Sequence, residues 1–161
     1  MSLEEAIKGS YLAVGFSGED LEALYEIAEC CTYEDGEVIL RQFDETKDIY
    51  ILASGRAHIV TILGDPIGVI KPGMPVGEIS FLDGRPRSVS VVAVGPTDAV
   101  SIPYDKAWAL LKERPAMELA MMRNISRLLC ARMRSANNNI AALMAIEESE
   151  GAILSPRSSS A

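Results

Sequence analysis

Four residues near the middle of the chain could together bind a negatively charged ligand: Gly77 and Glu78 and, after a short connection, Arg87 and Ser88. An arginine guanidinium binds a phosphate through two parallel hydrogen bonds, and an ionised carboxylate accepts hydrogen bonds from sugar hydroxyls. A glycine lets a ligand approach the backbone closely because no Cβ intervenes. These residue types therefore predict a phosphate-binding site with a sugar beside it.

The connection between the two pairs supports this prediction. A short helical turn at 79–82 would direct free backbone amides toward an anion, and Ser88 adds a hydroxyl and an amide beside the arginine. A second interpretation requires no ligand: Glu78 and Arg87 form a partly buried ion pair that closes the loop. The spacing of the residues alone does not separate these two interpretations.

The elements that position this site are predicted to be β-strands. The middle of the chain contains short runs rich in Val, Ile, Tyr and Thr, each bounded by turn residues such as Asp-Gly or Pro-Gly. Such close and regular spacing is typical of an antiparallel sandwich or barrel. The predicted strands are 37–41, 48–53, 57–63, 67–70, 88–94 and 99–104.

Length and composition indicate one ordinary domain with a terminal extension. The chain has 161 residues, of which 48% are hydrophobic, and this is enough material for a buried core. We predict a helical segment at 1–30, a β core at 31–104, helices at 105–147 and a disordered tail at 148–161.

Three signals define the predicted helices. Ser17 and Asp20 have the spacing of a capping box, so a short helix follows them. Pro115 separates a first helix at 105–114 from a long one at 116–147. The long helix carries an apolar stripe that either its own barrel or a second copy must cover, and because its far end outruns the barrel we expect a homodimer. The stripe consists of Met122, Ile125, Leu129, Met133, Ala136, Ile140 and Leu143.

Composition and charge argue against several classes of function. The net charge of −8 repels nucleic acid, and the longest apolar runs are shorter than the roughly 20 residues of a membrane helix. The three cysteines have no metal-ligand or disulfide pattern, and the single histidine, His58, has no visible co-ligands. We therefore expect a soluble, cytoplasmic protein without a metal, a cofactor or a membrane partner, and without direct DNA binding.

The segment from Gly77 to Ser88, GEISFLDGRPRS, resembles the phosphate-binding cassette of the cyclic-nucleotide-binding domain family. The pattern of that cassette runs Gly-Glu, then apolar and turn residues, then Pro-Arg-Ser/Ala/Thr. Three flanking stretches are similar to the family in the same order: DGEVIL at 35–40, DIYILASGRAHI at 48–59 and IKPGMPVGE at 70–78. The similarity extends over roughly residues 10–147.

This resemblance implies a mainly β fold with flanking helices. The core would be a double-stranded β-helix, a jelly-roll-like β-roll, with N-terminal helices and a long C-terminal helix. The ligand would be a purine cyclic mononucleotide, cAMP or cGMP. By position, Arg87 would hold the exocyclic phosphate oxygens and Glu78 the ribose 2′-hydroxyl. The other implied contacts are backbone groups of Gly77, Ile79 and Ser80, the hydroxyl and amide of Ser88, and apolar lining from Ile59 and Ile67.

The sequence also departs from the family in three places. The loop at 41–46 lacks a glycine that the family commonly has there, which affects the expected geometry of the loop. The positions that carry a Thr-Ser pair in the bacterial cAMP-dependent regulators, where the pair caps adenine, are Arg132 and Met133. Arg132 is thus either a base contact or a dimer-rim residue. The segment at 148–161 is too short for the helix-turn-helix of those regulators, which needs on the order of 50 residues.

These features predict a stand-alone sensor that binds cAMP or cGMP and acts on a protein partner. Binding would move the terminal helices about a hinge near Pro115. Two alternatives remain open: a β-roll interaction or scaffold protein that no longer depends on a ligand, and a cyclic-dinucleotide sensor. No set of nucleophile, base or metal ligands suggests an enzyme.

Overall fold

The β-strands form two sheets that pack face to face. A computed structural model of the chain describes residues 2–154, with the side chains of residues 2–142, 144 and 145. One sheet has the order β1-β8-β3-β6 and the other the order β2-β7-β4-β5, and the paired strands are antiparallel. The strands are β1 Glu29–Tyr33, β2 Val38–Leu40, β3 Ile49–Ser54, β4 Ala57–Val60, β5 Pro66–Ile70, β6 Pro75–Val76, β7 Ser90–Ala93 and β8 Thr97–Ile102.

The core between the sheets is built from apolar side chains of both sheets, as the predicted sandwich requires. Leu52, Val76 and Ala99 enter it from the first sheet. Ile39, Leu40, Ala57, Ile70, Val91 and Ala93 enter it from the second. Each predicted strand corresponds to an observed one, although β4 ends at Val60 because a turn over 61–64 begins there. The β-roll with flanking helices is confirmed.

Helices flank the sheets on the N- and C-terminal sides. They are α1 Leu3–Lys8, α2 Gly18–Ile27, α3 Glu78–Asp83, α4 Tyr104–Glu113 and α5 Pro115–Leu154, with a 3₁₀ turn at Tyr11–Ala13. The predicted capping box is present, because Ser17 Oγ accepts from Asp20 N and the Asp20 carboxylate accepts from Ser17 N, both at 3.1 Å. None of the helices within residues 2–154 is long and apolar enough to cross a bilayer.

The two sheets differ in how they are covered. Helix α1 packs against β3 and β8. Ile49, Ile51, Val100 and Ile102 in those strands are therefore buried even though they do not belong to the core between the sheets. The second sheet contributes to that core on one side only, and its other side carries exposed apolar residues such as Ile67 and Val69.

The chain divides into two compact units after Ile125, and this boundary falls within helix α5. In the first unit, Asn124 Nδ2 donates to the carbonyl oxygens of Leu12 (2.9 Å) and Val14 (2.8 Å), and this anchors the start of the helix. Pro115 occupies the first helical position, where the absence of an N–H has no cost. The second unit begins at Ser126 and exposes apolar side chains.

The long helix extends further than the sequence suggested. It was expected to end at residue 147, but it continues to Leu154. The first part of the predicted disordered tail is therefore helical. Residues 155–161 lie outside the described residues, so the prediction for them remains untested.

Candidate ligand-binding site

The predicted phosphate-binding residues lie in one loop, 77–88, between β6 and β7, which we call the cassette. Gly77 caps the start of α3 with φ 87°, and Gly84 ends the helix with φ 70°, its N–H bonded to Ser80 O. The predicted helical turn at 79–82 is confirmed, with one more residue at each end. Both glycines are in the left-handed region, which other residues adopt only at a cost in free energy.

Arg87 is the central residue of the cassette. Its side chain is buried, with 2% of the residue exposed. Nε donates to Thr46 Oγ1 at 3.1 Å, Nη1 to the Gly77 carbonyl at 3.0 Å and Nη2 to the Asp48 carbonyl at 2.8 Å. These three bonds use part of the five N–H groups of a guanidinium. They fix its orientation between the cassette and the loop that precedes β3.

Glu78 is buried beside Arg87 in the first turn of α3, with 1% of the residue exposed. Burial lowers the pKa of Arg87, whereas the neighbouring Tyr50, Asp48 and Glu78 act in the opposite direction. Glu78 therefore attracts the guanidinium electrostatically, as the ion-pair interpretation requires. The guanidinium is also held by hydrogen bonds to two backbone carbonyls, so its position does not depend on the charge of Glu78 alone.

Gly77 is required by packing as well as by its backbone angle. A Cβ at this position would lie 2.6 Å from Arg87 Nη1 and 2.6 Å from the Asp48 carbonyl oxygen. Both distances are far shorter than a van der Waals contact. The sequence suggested a glycine here so that a ligand could approach, and the structure adds that Arg87 occupies the space of the missing side chain.

The loop between β2 and β3 is clamped to the cassette by backbone hydrogen bonds. Arg87 N donates to Asp44 O at 2.8 Å, and Phe43 N donates to Arg87 O at 2.9 Å. Phe43 has φ 72°, the one positive value for a non-glycine residue among those described. It is also 67% exposed. This is the loop in which the sequence lacks the family's glycine, and the chain adopts a left-handed conformation there nonetheless.

The other residues predicted to contact the ligand differ in how exposed they are. Ser80 is buried, Ser88 is exposed and Ile79 is largely exposed. Ile59 is partly buried and packs on the core between the sheets. Ile67 is directed outward and is 59% exposed. The roles implied for these residues remain predictions.

Arg132 and Met133 lie in the second unit, in the distal part of α5. Arg132 is half-buried, and Met133 is 67% exposed. Their predicted contact with a base therefore also remains a prediction.

Sequence reasoning missed Thr46 and Asp48, which hold the guanidinium of Arg87. Asp48 has a second role, because its Oδ1 accepts from Tyr104 N at 2.8 Å at the start of α4. Asp48 thereby connects Arg87 to the helices that follow the β-roll. No side-chain pattern could have identified the contact with Arg87, since it uses the backbone carbonyl of Asp48.

Aromatic rings join the cassette to α4. Phe81 of α3 stacks on Trp108 with 5.2 Å between ring centroids, and it meets Tyr104 edge to face at 5.5 Å. Lys47 Nζ lies over the Tyr104 ring, 5.5 Å from its centroid. A cleft of about 460 Å³ lies along α4, lined by Tyr104, Asp105, Trp108, Ala109 and Lys112. A displacement of α3 would therefore act directly on α4.

Comparisons with known proteins agree with the fold. The model of the cyclic nucleotide-binding domain matches residues 30–114, more than half of the chain. The cyclic AMP receptor protein of Thermus thermophilus is 29% identical over 151 residues, which cover 91% of this chain and 68% of that protein. A crystal structure of a cyclic nucleotide-binding domain from Methylobacillus flagellatus has a TM-score of 0.76 and 26% identity, with coverage of 87% of this chain and 81% of that one.

The same domain also occurs as a small part of larger proteins. Glutaminase 1 of Bradyrhizobium diazoefficiens is 29% identical over 129 residues, which cover 80% of this chain but 21% of that protein. The resemblance to this enzyme is thus confined to a minor part of its length. The chain belongs to the cyclic nucleotide-binding domain family.

Proposed function

We propose that this member of the cyclic nucleotide-binding domain family is a sensor that binds cAMP or cGMP in its cassette and signals to a protein partner. The observation that carries the proposal is the buried guanidinium of Arg87, held in place by Thr46, Gly77 and Asp48. An orientation fixed in advance reduces the entropy that phosphate binding must otherwise remove. A binding module of this kind has no need of catalytic residues.

In the proposed complex, Arg87 grips the exocyclic phosphate oxygens and Glu78 accepts a hydrogen bond from the ribose 2′-hydroxyl. Because Arg87 is 2% exposed, its surroundings must rearrange to admit the phosphate, and α3, which begins directly after Gly77, is the element proposed to shift. Since Phe81 of α3 stacks on Trp108, that shift displaces α4. Arg114, whose φ of −129° and ψ of 73° separate α4 from α5, is the natural hinge for the long helix.

The cassette residues account for the phosphate and the ribose of the proposed ligand, but they do not indicate which base it carries. The name of the Thermus thermophilus relative favours cAMP, whereas Arg132 and Met133 stand where the adenine-capping pair would be. We therefore keep both mononucleotides as candidates, with a cyclic dinucleotide as the alternative. The cytoplasm, where such messengers occur, is the proposed location.

The distal part of α5 is proposed to form a homodimer. Met133 and Ile140 are both exposed and are seven residues apart, which is the spacing of one coiled-coil seam. A second copy would bury this seam. The protein effector, whose identity is open, would then respond to the arrangement of the two copies.

One observation favours a second function, that of a scaffold independent of ligand. The guanidinium of Arg87 already donates three hydrogen bonds to protein atoms, so the fold uses the arginine even without a nucleotide. In that case the cassette would be a structural loop. Binding of the partner would then be the same with and without a cyclic nucleotide.

Calorimetric titration with cAMP, cGMP and a cyclic dinucleotide tests the proposal. We expect Arg87→Ala to weaken binding by about thirtyfold or more, since a charge-assisted phosphate contact contributes about 2 kcal/mol. Arg85→Ala is the matched control, because Arg85 is exposed in the same loop and should leave affinity unchanged. Arg87→Lys keeps the charge but loses the paired geometry, and thermal unfolding shows whether each variant is folded.

Absence of binding at millimolar concentrations of all three ligands would refute the sensor. Equal affinity in wild type and a folded Arg87 variant would refute the role of the arginine. Either result would favour the scaffold.

A further inference from the structure

Positive and negative residues are separated along the distal part of α5, the helix from residue 126 to residue 154. Residues 126–146 include three arginines and no acidic residue, whereas residues 147–154 include three glutamates and no basic residue. Two copies of this helix that lie side by side in the same direction bring like charges together. Two copies that lie in opposite directions bring unlike charges together.

The coiled-coil seam of α5 continues beyond its apolar stripe. Seam positions follow one another at intervals of three and four residues, and after Leu143 the next two fall on Glu147 and Glu150. In the other direction, the seam position before Leu129 is Ser126. The seam therefore has apolar residues in its middle and polar positions on either side of them.

The relative direction of two copies decides what these polar positions meet. In a parallel pair each seam position faces its own equivalent, so Glu147 faces Glu147 and Glu150 faces Glu150. Two carboxylates in one seam layer repel each other, and it is costly to bury them. In an antiparallel pair with its two-fold axis at residue 138, Glu150 instead stands level with Ser126 of the other copy. The glutamates then no longer face each other.

Arg132 flanks the seam at the level where Glu147 of the other copy arrives. In the antiparallel pair, Glu147 stands level with Leu129 of the other copy. Arg132 directly precedes the seam residue Met133, and side chains on a helix lean toward its N-terminus, which here is the direction of Leu129. Each copy thereby brings an arginine next to a glutamate of the other. The other charged residues of this segment fall on the outward side of the helix; they are Arg127, Arg134 and Glu148.

The residues at the two-fold axis are complementary to themselves. Asn137 and Asn139 flank the seam on its two sides, and both are exposed. In an antiparallel pair each of them meets its own equivalent near the axis. A side-chain amide carries both donors and an acceptor, so two copies of one asparagine can bond to each other. In a parallel pair Asn139 would instead face Met144.

We propose that the distal part of α5 binds the same segment of a second copy in the antiparallel direction, with the two-fold axis at residue 138. This inference rests on the homodimer proposed above and specifies its geometry. With a rise of 1.5 Å per residue, the two Ser126 residues lie about 36 Å apart along the paired helices. The first units of the two copies are thus attached at opposite ends of the pair.

Disulfide cross-linking of the full chain tests the direction of the helices. Met133→Cys and Leu143→Cys are made separately in a chain whose three native cysteines are replaced by serine. A disulfide requires Cα atoms within about 7 Å of each other. In the antiparallel pair Met133 stands level with Leu143 of the other copy, but about 15 Å along the helices from its own equivalent. We therefore expect an equimolar mixture to form the mixed disulfide, identified by its mass, and each variant alone to form none.

A charge exchange tests the contact between Arg132 and Glu147. Glu147→Lys should raise the Kd of the dimer about tenfold, because it replaces attraction by repulsion at both ends of the pair. The addition of Arg132→Glu should restore the Kd to within about threefold of wild type. Arg134→Glu with Glu148→Lys is the matched control, since it makes the same exchange on the outward side and should leave the Kd unchanged. Light scattering over a dilution series gives the Kd, and circular dichroism confirms that the variants are helical.

The outcomes separate this geometry from the proposals on which it rests. A disulfide formed by either variant alone would show a parallel pair and overturn the geometry, while the homodimer would stand. A dimer that forms no disulfide in any sample would overturn the position of the axis. A chain that stays monomeric at all concentrations would overturn the homodimer as well. Nucleotide binding is measured separately by calorimetry, so its failure would leave the cross-linking result in force.

Discussion

The cassette and the distal part of α5 depart from the ordinary distribution of side chains in opposite ways. The cassette buries a guanidinium and a carboxylate, Arg87 and Glu78. The distal helix leaves large apolar side chains in water, with Met133 at 67% and Ile140 at 56% exposure. Burial of charge and exposure of apolar surface are both unfavourable in an isolated chain.

The difference shows what each region is suited to bind. A buried and immobilised cation is suited to a small anion, because the surrounding protein fixes its geometry and excludes water. An exposed apolar stripe is suited to a large apolar partner, because its binding energy grows with the area that is buried. These properties are the reason for proposing a nucleotide as the ligand of the first region and a second copy as the partner of the second, and the following variants test this division.

The largest effect is expected for Gly77→Ala in the cassette. The new Cβ would meet Arg87 Nη1 and the Asp48 carbonyl, each at 2.6 Å, on a backbone with φ 87°. We expect the free energy of unfolding to fall by about 3 kcal/mol or more. Chemical denaturation measures this change, and nucleotide binding should fall with it because Arg87 is displaced.

Gly84→Ala is the control for this prediction. Gly84 also has a positive φ, 70°, but a Cβ there would meet no atom within 4 Å. The free energy of unfolding should therefore fall only by the backbone penalty of about 1 kcal/mol. Equal losses for the two variants would mean that the contact with Arg87 is unimportant.

A smaller effect is expected for Ile140→Asp in the distal helix. The folding of a single chain should hardly change, because the side chain is already exposed. The proposed dimer should be weakened by about 2 kcal/mol, or roughly thirtyfold in Kd, because a carboxylate would enter an apolar seam. Light scattering over a dilution series gives the Kd. Ala141→Asp, also exposed but one position away from the seam, should leave the dimer intact.

The smallest effect, of opposite sign, is expected for Phe43→Gly. Glycine adopts φ 72° without strain, which favours the folded state, whereas the greater entropy of its unfolded chain opposes folding. The net effect should be a rise in the free energy of unfolding of up to about 1 kcal/mol. Phe43→Ala keeps the strained backbone and should not be stabilised. A loss of stability in Phe43→Gly would show that the ring, although 67% exposed, makes favourable contacts. Thermal unfolding separates these outcomes.

The sequence predicted those features of the fold that depend on local patterns. The capping box at Ser17, the short helix in the cassette and the long helix after Pro115 are all present because each depends on residues close together in the chain. The strands were found where branched apolar residues cluster. β1 was missed because Glu29–Tyr33 contains neither a run of branched residues nor a regular alternation, and β6 because it has two residues.

The candidate site was predictable only in part. Glu78 and Arg87 were singled out as candidates from their types and spacing, since charged residues are unusual inside an apolar run, and the structure shows that both are buried. Their surroundings were not predicted, because Arg87 bonds to two backbone carbonyls and to Thr46, from segments distant in sequence. Backbone acceptors leave no trace in the residue pattern. The left-handed conformation of Phe43 was equally unpredictable, because few non-glycine residues adopt it.

The stacking of Phe81 on Trp108 has a practical consequence. Trp108 is the single tryptophan of the chain, so the indole emission of the whole protein originates beside the cassette helix. Its Nε1 is buried and, within the described residues, has no hydrogen-bond partner, so the ring is sensitive to any acceptor or water that reaches it. The protein thus carries a built-in optical reporter that can follow movement of α3 without a label.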